Sequence, residues 1–309
     1  MNNISLKQLR YFCALAEHGH FGRAAEVSGI SQPALSVQIK ELEIELGIAL
    51  FERSSRHVCL TAFGEQVTVR VNEILRAVDD LYDLARASRD RLTGRFKIGI
   101  IPTIAPYLLP TVLRYLSEEY SELDIHVRET LSSKLINELN DRTLDCAILA
   151  LPIGETSFTE FPLFTESMVL VRPITSEVPI TSPEQLLDQK LLLLEEGHCF
   201  REQALTFCKV GTTRPRDGLD GSSLSTLVQM VGAGLGVTFI PEMAVPVEVG
   251  SARVCLNRFR PPEPGRVVGM IWRRSNPLAS QFERIAEIVR RAAEYLRHQH
   301  RSQYDGLGI

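Results

Sequence analysis

Apolar positions in the first 60 residues recur at helical spacing in short blocks. Leu35, Ile39, Leu42 and Leu46 are spaced 4, 3 and 4, which lays one stripe along a helix. Upstream, residues 22–28 predict a short helix whose Ala24 and Ala25 are small enough for close helix crossing. Gly29 supplies the turn, because glycine reaches positive φ at little cost. Ser31 is a good N-cap, and Pro33 falls in the first turn, where its missing N–H is not needed. Residues 21–46 therefore predict a helix-turn-helix. With the stripe turned inward, Gln32, Ser36, Gln38 and Lys40 are expected outward: amides and a hydroxyl for base edges, and a cation for phosphate. Arg53, Arg56 and His57 follow in a short polar hairpin suited to a wing on the DNA backbone.

Residues 62–92 predict one long helix. Val67, Val71, Ile74, Val78, Leu81 and Ala85 form an alternating seam of the kind that packs two helices side by side. It predicts dimerisation, with Thr93-Gly94 ending the helix as a hinge. Beyond it, strand and helix patterns alternate. Strands over 96–100, 123–127 and 146–149 enclose helices over 104–118 and 133–140. That order implies a parallel sheet with helices on both faces. A second unit repeats the plan, with strands around 168–171, 191–194 and 236–240, and helices from about 200 and near 223–231. Strand 267–271 and helix 278–296 close the chain. Ligand sites in such sheets lie beyond the carboxyl ends of strands. A cleft is expected near Pro102-Thr103, Ser132-Ser133 and residues 196–199.

Composition narrows the function. With 309 residues and 23% charged positions the chain predicts two or three folded domains. No apolar run reaches the roughly 18–20 residues of a membrane span, and residues 1–12 lack a signal core. A cytoplasmic location is expected, where the six cysteines stay thiols. The net charge of −4 argues against a chain coated in nucleic acid. Residues 1–60 hold six basic and six acidic side chains, so DNA affinity there must come from placement and dimerisation. Gly232-Ala233-Gly234-Leu235-Gly236 precedes a strand, so it predicts a helix end and turn instead of a nucleotide loop.

One cysteine pair stands apart. Cys199 and Cys208 lie nine residues apart in a segment that predicts helix from about 200. Nine residues of helix rise about 13.5 Å and leave the two side chains on opposite faces, whereas a disulfide needs Cα atoms within roughly 7 Å. Helix and bond exclude one another, so oxidation would rebuild the segment. At the helix N-terminus, beside His198 and Arg201, Cys199 is expected to lean toward thiolate. Packing cysteines, zinc ligation with His198, and a thiol peroxidase are the competing readings. The eight-residue gap lacks the short paired spacing of zinc ligands, and an enzyme would leave the N-terminal motif unexplained.

The stretch FGRAAEVSGISQPALSVQIKELEIELGIALFERSSRHVCLTAFGE resembles the LysR-type transcriptional regulators. The blocks that carry the likeness are Ser31-Gln32-Pro33-Ala34-Leu35-Ser36, Leu46-Gly47 with Leu50-Phe51-Glu52-Arg53, and Thr61 with Gly64. The likeness continues over essentially the whole chain. It implies an α+β multidomain protein: a winged helix-turn-helix domain over 1–60, a linker and dimerisation helix over 61–93, and a regulatory domain over 94–309. The last is implied to be a two-lobed α/β domain like a periplasmic binding protein, with lobe I over 94–166 and 267–309 and lobe II over 167–266. Gln32, Pro33, Ser36, Gln38, Lys40, Arg53 and Arg56 are the implied DNA contacts. Many relatives carry arginine where this chain has Val37.

The segment Gly197-His198-Cys199-Phe200-Arg201-Glu202-Gln203-Ala204-Leu205-Thr206-Phe207-Cys208 is similar to that of the peroxide-sensing members of the family. The similarity implies Cys199 as peroxidatic thiol and Cys208 as resolving thiol. Thr103 and His198 are implied to hold peroxide and a water. Ser132 stands where threonine is usual, and Arg266 is the implied electrostatic partner. The partners implied are double-stranded DNA, hydrogen peroxide, a homotetramer built as a dimer of dimers, RNA polymerase, and a thiol reductant of glutaredoxin or thioredoxin type. No cofactor, metal, membrane or enzyme activity is expected. A regulator answering to a small organic ligand between the lobes is the alternative.

Overall fold

The computed structural model describes residues 3–53, 58–87, 93–176, 180, 182–208, 220–250, 252–259 and 263–304. Two compact units emerge, Met1–Ala85 and Arg86–Ile309.

In the first unit, α1 (Leu6–His18), α2 (Phe21–Val27) and α3 (Gln32–Leu46) pack around one core. The expected turn chemistry is present. Gly29 sits at φ +66°, the Ser31 hydroxyl accepts from the Ala34 amide at 3.4 Å, and α3 ends on Gly47 in the left-handed region. Leu35, Ile39 and Leu42 are fully buried with Phe12, Leu15 and Ala24. Strands β1 (Phe51–Arg53) and β2 (Val58–Leu60) pair antiparallel as the arms of the expected hairpin.

The long helix α4 (Ala62–Ala87) starts where expected, but its seam divides. Val71 is buried, and Phe63, Val67 and Leu75 pack with it on the core of this unit. Ile74 and Leu81 are 47% and 65% exposed. The start of the stripe is therefore covered by its own unit, while Ile74 and Leu81 are left open among the described residues. Residues 88–92 lie outside the described ones. Gly94 opens a strand at φ +78° instead of capping the helix.

The second unit is built on strand β3 (Gly94–Ile100), helix α5 (Ala105–Glu119), strand β4 (Leu123–Glu129), helix α6 (Ser132–Asn140) and strand β5 (Cys146–Leu151). β3 pairs parallel with both β4 and β5. Cys146 to Leu149 are fully buried, the mark of a strand covered on both faces. The sheet is mixed, however, and not the parallel sheet expected. The strands β6 (Phe158–Pro173) and β11 (Gly265–Arg273) run antiparallel to each other, and β11 runs antiparallel to β5. Helix α10 (Ala279–Tyr304) completes this layer.

β6 organises the rest. Its first part, to Ser167, pairs with β11; from Met168 it pairs with β9 (Thr238–Pro241) and from Leu170 also with β10 (Val254–Asn257). One continuous strand thus carries the chain from a first hydrophobic core to a second. The second core is assembled from short elements: β7 (Leu193–Leu194), α7 (Cys199–Cys208), β8 (Asp220–Gly221), α8 (Leu224–Gly232) and α9 (Val245–Glu248). No helix among the described residues is long and apolar enough to cross a membrane.

Candidate functional site

Helix α7 begins at Cys199 and ends at Cys208, as the spacing predicts. Cys199 is half-buried and packs against the first core, whereas Cys208 is buried within the second. Both are free thiols. One helix therefore touches each core with one sulfur. Burial pushes the Cys208 thiol up to about 11, so it is neutral and unreactive while the helix stands.

Gly197 sits at φ +94°, and a Cβ there would lie 3.0 Å from Leu131 Cδ1. A glycine is needed for both reasons. This close approach brings the start of α7 against the start of α6, where Ser132 is the first helical residue. The Ser132 hydroxyl is buried with no hydrogen-bond partner among the described residues. Gln203 stands one turn beyond Cys199 on α7, and its Oε1 is orphaned in the same way. Buried polar atoms without partners are costly and uncommon. Of these two, one lies a helical turn from Cys199 and the other heads the helix that Gly197 meets, so both are candidates to hold a small polar molecule.

Arg266 is the centre of a buried network. Its Nε donates to Glu166 Oε2 at 2.8 Å, one terminal nitrogen donates to Thr103 Oγ1 at 2.7 Å, and the other to the Thr103 carbonyl at 3.0 Å. Its side chain is fully buried and Glu166 nearly so. The guanidinium lies 5.2 Å from the centre of the Phe200 ring, next in sequence to Cys199. Glu166 Oε1 accepts the Met243 amide at 2.9 Å. Because Thr103 Oγ1 already accepts from Arg266, its own hydrogen is left to donate elsewhere. Arg266 thus both neutralises Glu166 and sets the polarity of the Thr103 hydroxyl.

Thr103, Arg266 and the first turn of α7 are brought together as expected. Arg201 is not available in the expected way. It is buried and donates to the Leu194 carbonyl at 2.5 Å, with Asp220 at 3.2 Å. Its charge is spent on anchoring α7 to the β7–β8 pair. Burial also lowers the pKa of His198, against a smaller opposing effect of Glu195. The residue is therefore a neutral acceptor near pH 7, and not a cation. Among the described residues no group of three or more His, Cys, Asp or Glu side chains is placed to hold a metal.

Sequence reasoning missed Glu166, Gln203 and a second polar pair. Tyr107, in the first turn of α5, donates to Glu248 of α9 at 2.7 Å. Burial raises the tyrosine pKa, and the Glu248 carboxylate raises it further. The only signal for Gln203 was its helical spacing from Cys199. Glu166 could have been suspected as a carboxylate just ahead of the apolar run Met168–Val171 of β6.

On α3 the outward surface differs from the expected one. With residues about 100° apart around the helix, Val37 and Ile44 lie nearly opposite the buried Leu35, Ile39 and Leu42. Val37 is 53% exposed. Lys40 and Glu41 form its shoulders, and both are exposed. Ser36 and Gln38 fall to the flanks and are half-buried, and the Gln38 amide donates to Glu41 Oε2 at 2.8 Å. Gln32 and Pro33 are exposed at the helix start. The backbone of Arg53 closes β1; Arg56 and His57 lie outside the described residues.

A helix-turn-helix with a short hairpin, joined by a long helix to a two-core α/β unit, defines a bacterial regulator of the LysR type. The chain belongs to that family. Residues 6–65 match the bacterial regulatory helix-turn-helix protein, lysR family, and residues 89–294 match the LysR substrate binding domain. Within the family it groups with the OxyR proteins. It is 39% identical to the DNA-binding transcriptional dual regulator OxyR of Escherichia coli K12, over 93% of this chain and 95% of that protein. It is 42% identical to a probable hydrogen peroxide-inducible genes activator of Streptomyces viridosporus, over 93% of this chain and 94% of that one. Among solved structures, it superposes on full-length Pseudomonas aeruginosa OxyR, a cysteine-to-aspartate variant, with a TM-score of 0.72 and 36% identity, covering 93% of this chain and 98% of the other. A peroxide-bound cysteine-to-serine variant of Corynebacterium glutamicum OxyR gives 0.68 and 35%, covering 97% and 95%.

Proposed function

We propose that this DNA-binding transcriptional regulator is switched by hydrogen peroxide through Cys199 and Cys208. The observation that carries the reading is the placement of the two thiols at opposite ends of α7, each on a different core. A bond between them, across about 13.5 Å of helix, requires the helix to unwind and the second core to repack. That is a two-state element.

The chemistry balances with peroxide as the sole oxidant. Peroxide enters the polar niche beside Thr103, Ser132, His198 and Gln203. The Cys199 proton passes to neutral His198, and the thiolate attacks one peroxide oxygen. The O–O bond breaks, the departing hydroxide takes the proton back as water, and Cys199 becomes a sulfenic acid. Cys208, released from its core by unwinding, attacks the Cys199 sulfur. The S–O bond breaks, hydroxide leaves with the Cys208 proton as a second water, and the disulfide closes. Arg266, itself held by Glu166, keeps the Thr103 hydroxyl in its donating orientation.

Repacking of the second core is read out on DNA as a changed spacing of half-sites gripped by a tetramer. RNA polymerase is the downstream partner, and a glutaredoxin- or thioredoxin-type dithiol resets the switch. Gln32, Pro33, Ser36, Gln38, Lys40, Arg53 and Arg56 remain the proposed DNA contacts. The test is thiol mapping by mass spectrometry after near-stoichiometric peroxide. A Cys199–Cys208 bridge, reversed by dithiol, is the expected product. Two free thiols at these positions, or a Cys199→Ser variant that keeps peroxide-induced transcription, would turn the reading toward an organic ligand between the lobes.

A further inference from the structure

The outward centre of α3 is apolar, and this has a consequence for how the helix reads DNA. In a helix-turn-helix the second helix enters the major groove, with its N-terminal half toward the base edges. Val37 is the sixth residue of α3, so it lies in that half, and it faces nearly opposite the buried stripe. Ile44 shares the line but stands two turns further along. The polar residues are less central. Ser36 and Gln38 are half-buried on opposite flanks, and the Gln38 amide is held by Glu41. The Glu41 carboxylate also lies 3.5 Å from the Gln8 amide nitrogen. The exposed side chain at the outward centre of the N-terminal half of α3 therefore offers two methyl groups and no hydrogen bond.

In the major groove one base carries a matching group: thymine presents its C5-methyl there, and no other base does. We infer that Val37 is a specificity-determining residue that reads a thymine methyl in each half-site. This rests on the reading that α3 is the groove-entering helix. Polar bases at that step would be left facing the valine methyls without a partner, so the same contact also discriminates against them. Loss of the one buried thymine methyl corresponds to roughly a fourfold weakening per half-site.

The test is selection of duplexes from a random pool by the full-length protein, followed by affinity measurement on the selected site. Each thymine is replaced in turn by deoxyuridine, which lacks only the methyl. One position per half-site should weaken binding roughly fourfold in the wild type, and the same substitution should leave Val37→Ala unaffected. Val37→Arg should shift the selected base at that position from thymine to guanine, whose O6 and N7 accept from arginine. The inference is overturned if no single uracil weakens the wild type, or if the sensitive position weakens wild type and Val37→Ala equally. Failure of the underlying reading has a different signature: no sequence enriched at all, or an enriched site whose binding is indifferent to every α3 variant, Lys40→Ala included.

Discussion

The two helices proposed to carry function, α3 and α7, are held in different ways. α3 is fixed by local signals: a serine cap, a proline in the first turn, a left-handed glycine at its end, and three fully buried aliphatic side chains. α7 has little of this. It is anchored by a buried arginine, by a phenylalanine under Arg266, and by a cysteine at each end in a different core. The reading helix is a rigid bar whose stability is written into its own sequence. The proposed sensing helix, α7, is held mainly by distant contacts, which suits a segment proposed to be rebuilt on oxidation.

The largest effect that would break this contrast is at Cys199. Cys199→Ser should abolish both the peroxide-induced disulfide and the peroxide-induced change in DNA footprint, while the reduced footprint is unchanged. A retained footprint change would show that α7 is not the switch. Next is the anchor. Arg201→Met removes a buried charged donor and should cost about 2–3 kcal/mol in urea unfolding, whereas Lys40→Met on exposed α3 should stay within about 0.5 kcal/mol. Equal costs would erase the distinction between the two helices.

A smaller effect is set by pH. The Cys208 thiol is held at about 11 by burial, above its value of about 8.5 in an unfolded chain. The folded state therefore binds this proton more tightly. Its contribution is complete below about pH 8.5 and is lost as pH rises toward 11. The melting temperature should fall across that window, and Cys208→Ala should flatten the fall. An identical slope in both proteins would show that Cys208 is not buried in the working state. The smallest effect is the cap. Ser31→Ala should destabilise the first unit by about 1 kcal/mol, read by thermal unfolding, with no change in peroxide reactivity.

Legibility followed the same division. The boundaries of α3, α5, α6 and α7 could be read from apolar period and punctuation. Strands β6 and β10 were less legible. The first part of β6 has its partner in β11, about a hundred residues away, and β10 pairs with the far end of the same strand. The apolar centre of α3 was present in the pattern once the buried stripe was drawn, yet the polar residues beside it drew the reading. Arg201 shows the opposite case. Its place two residues from Cys199 suggested an electrostatic role, but the side chain turns to Leu194 and Asp220.

Local pattern alone set the helix-turn-helix, the alternation that opens the second unit, the nine-residue separation of the thiols on one helix, and the incompatibility of that helix with their bond. These follow from local geometry, which depends only on near neighbours along the chain. Only packing places Cys199 and Cys208 in different cores, joins Arg266 to Glu166 across 100 residues and to Thr103 across 163, and leaves Ser132 and Gln203 without partners among the described residues. Buried charges and hydroxyls take whichever partner the packed chain brings within reach, and no periodicity in the sequence encodes that choice.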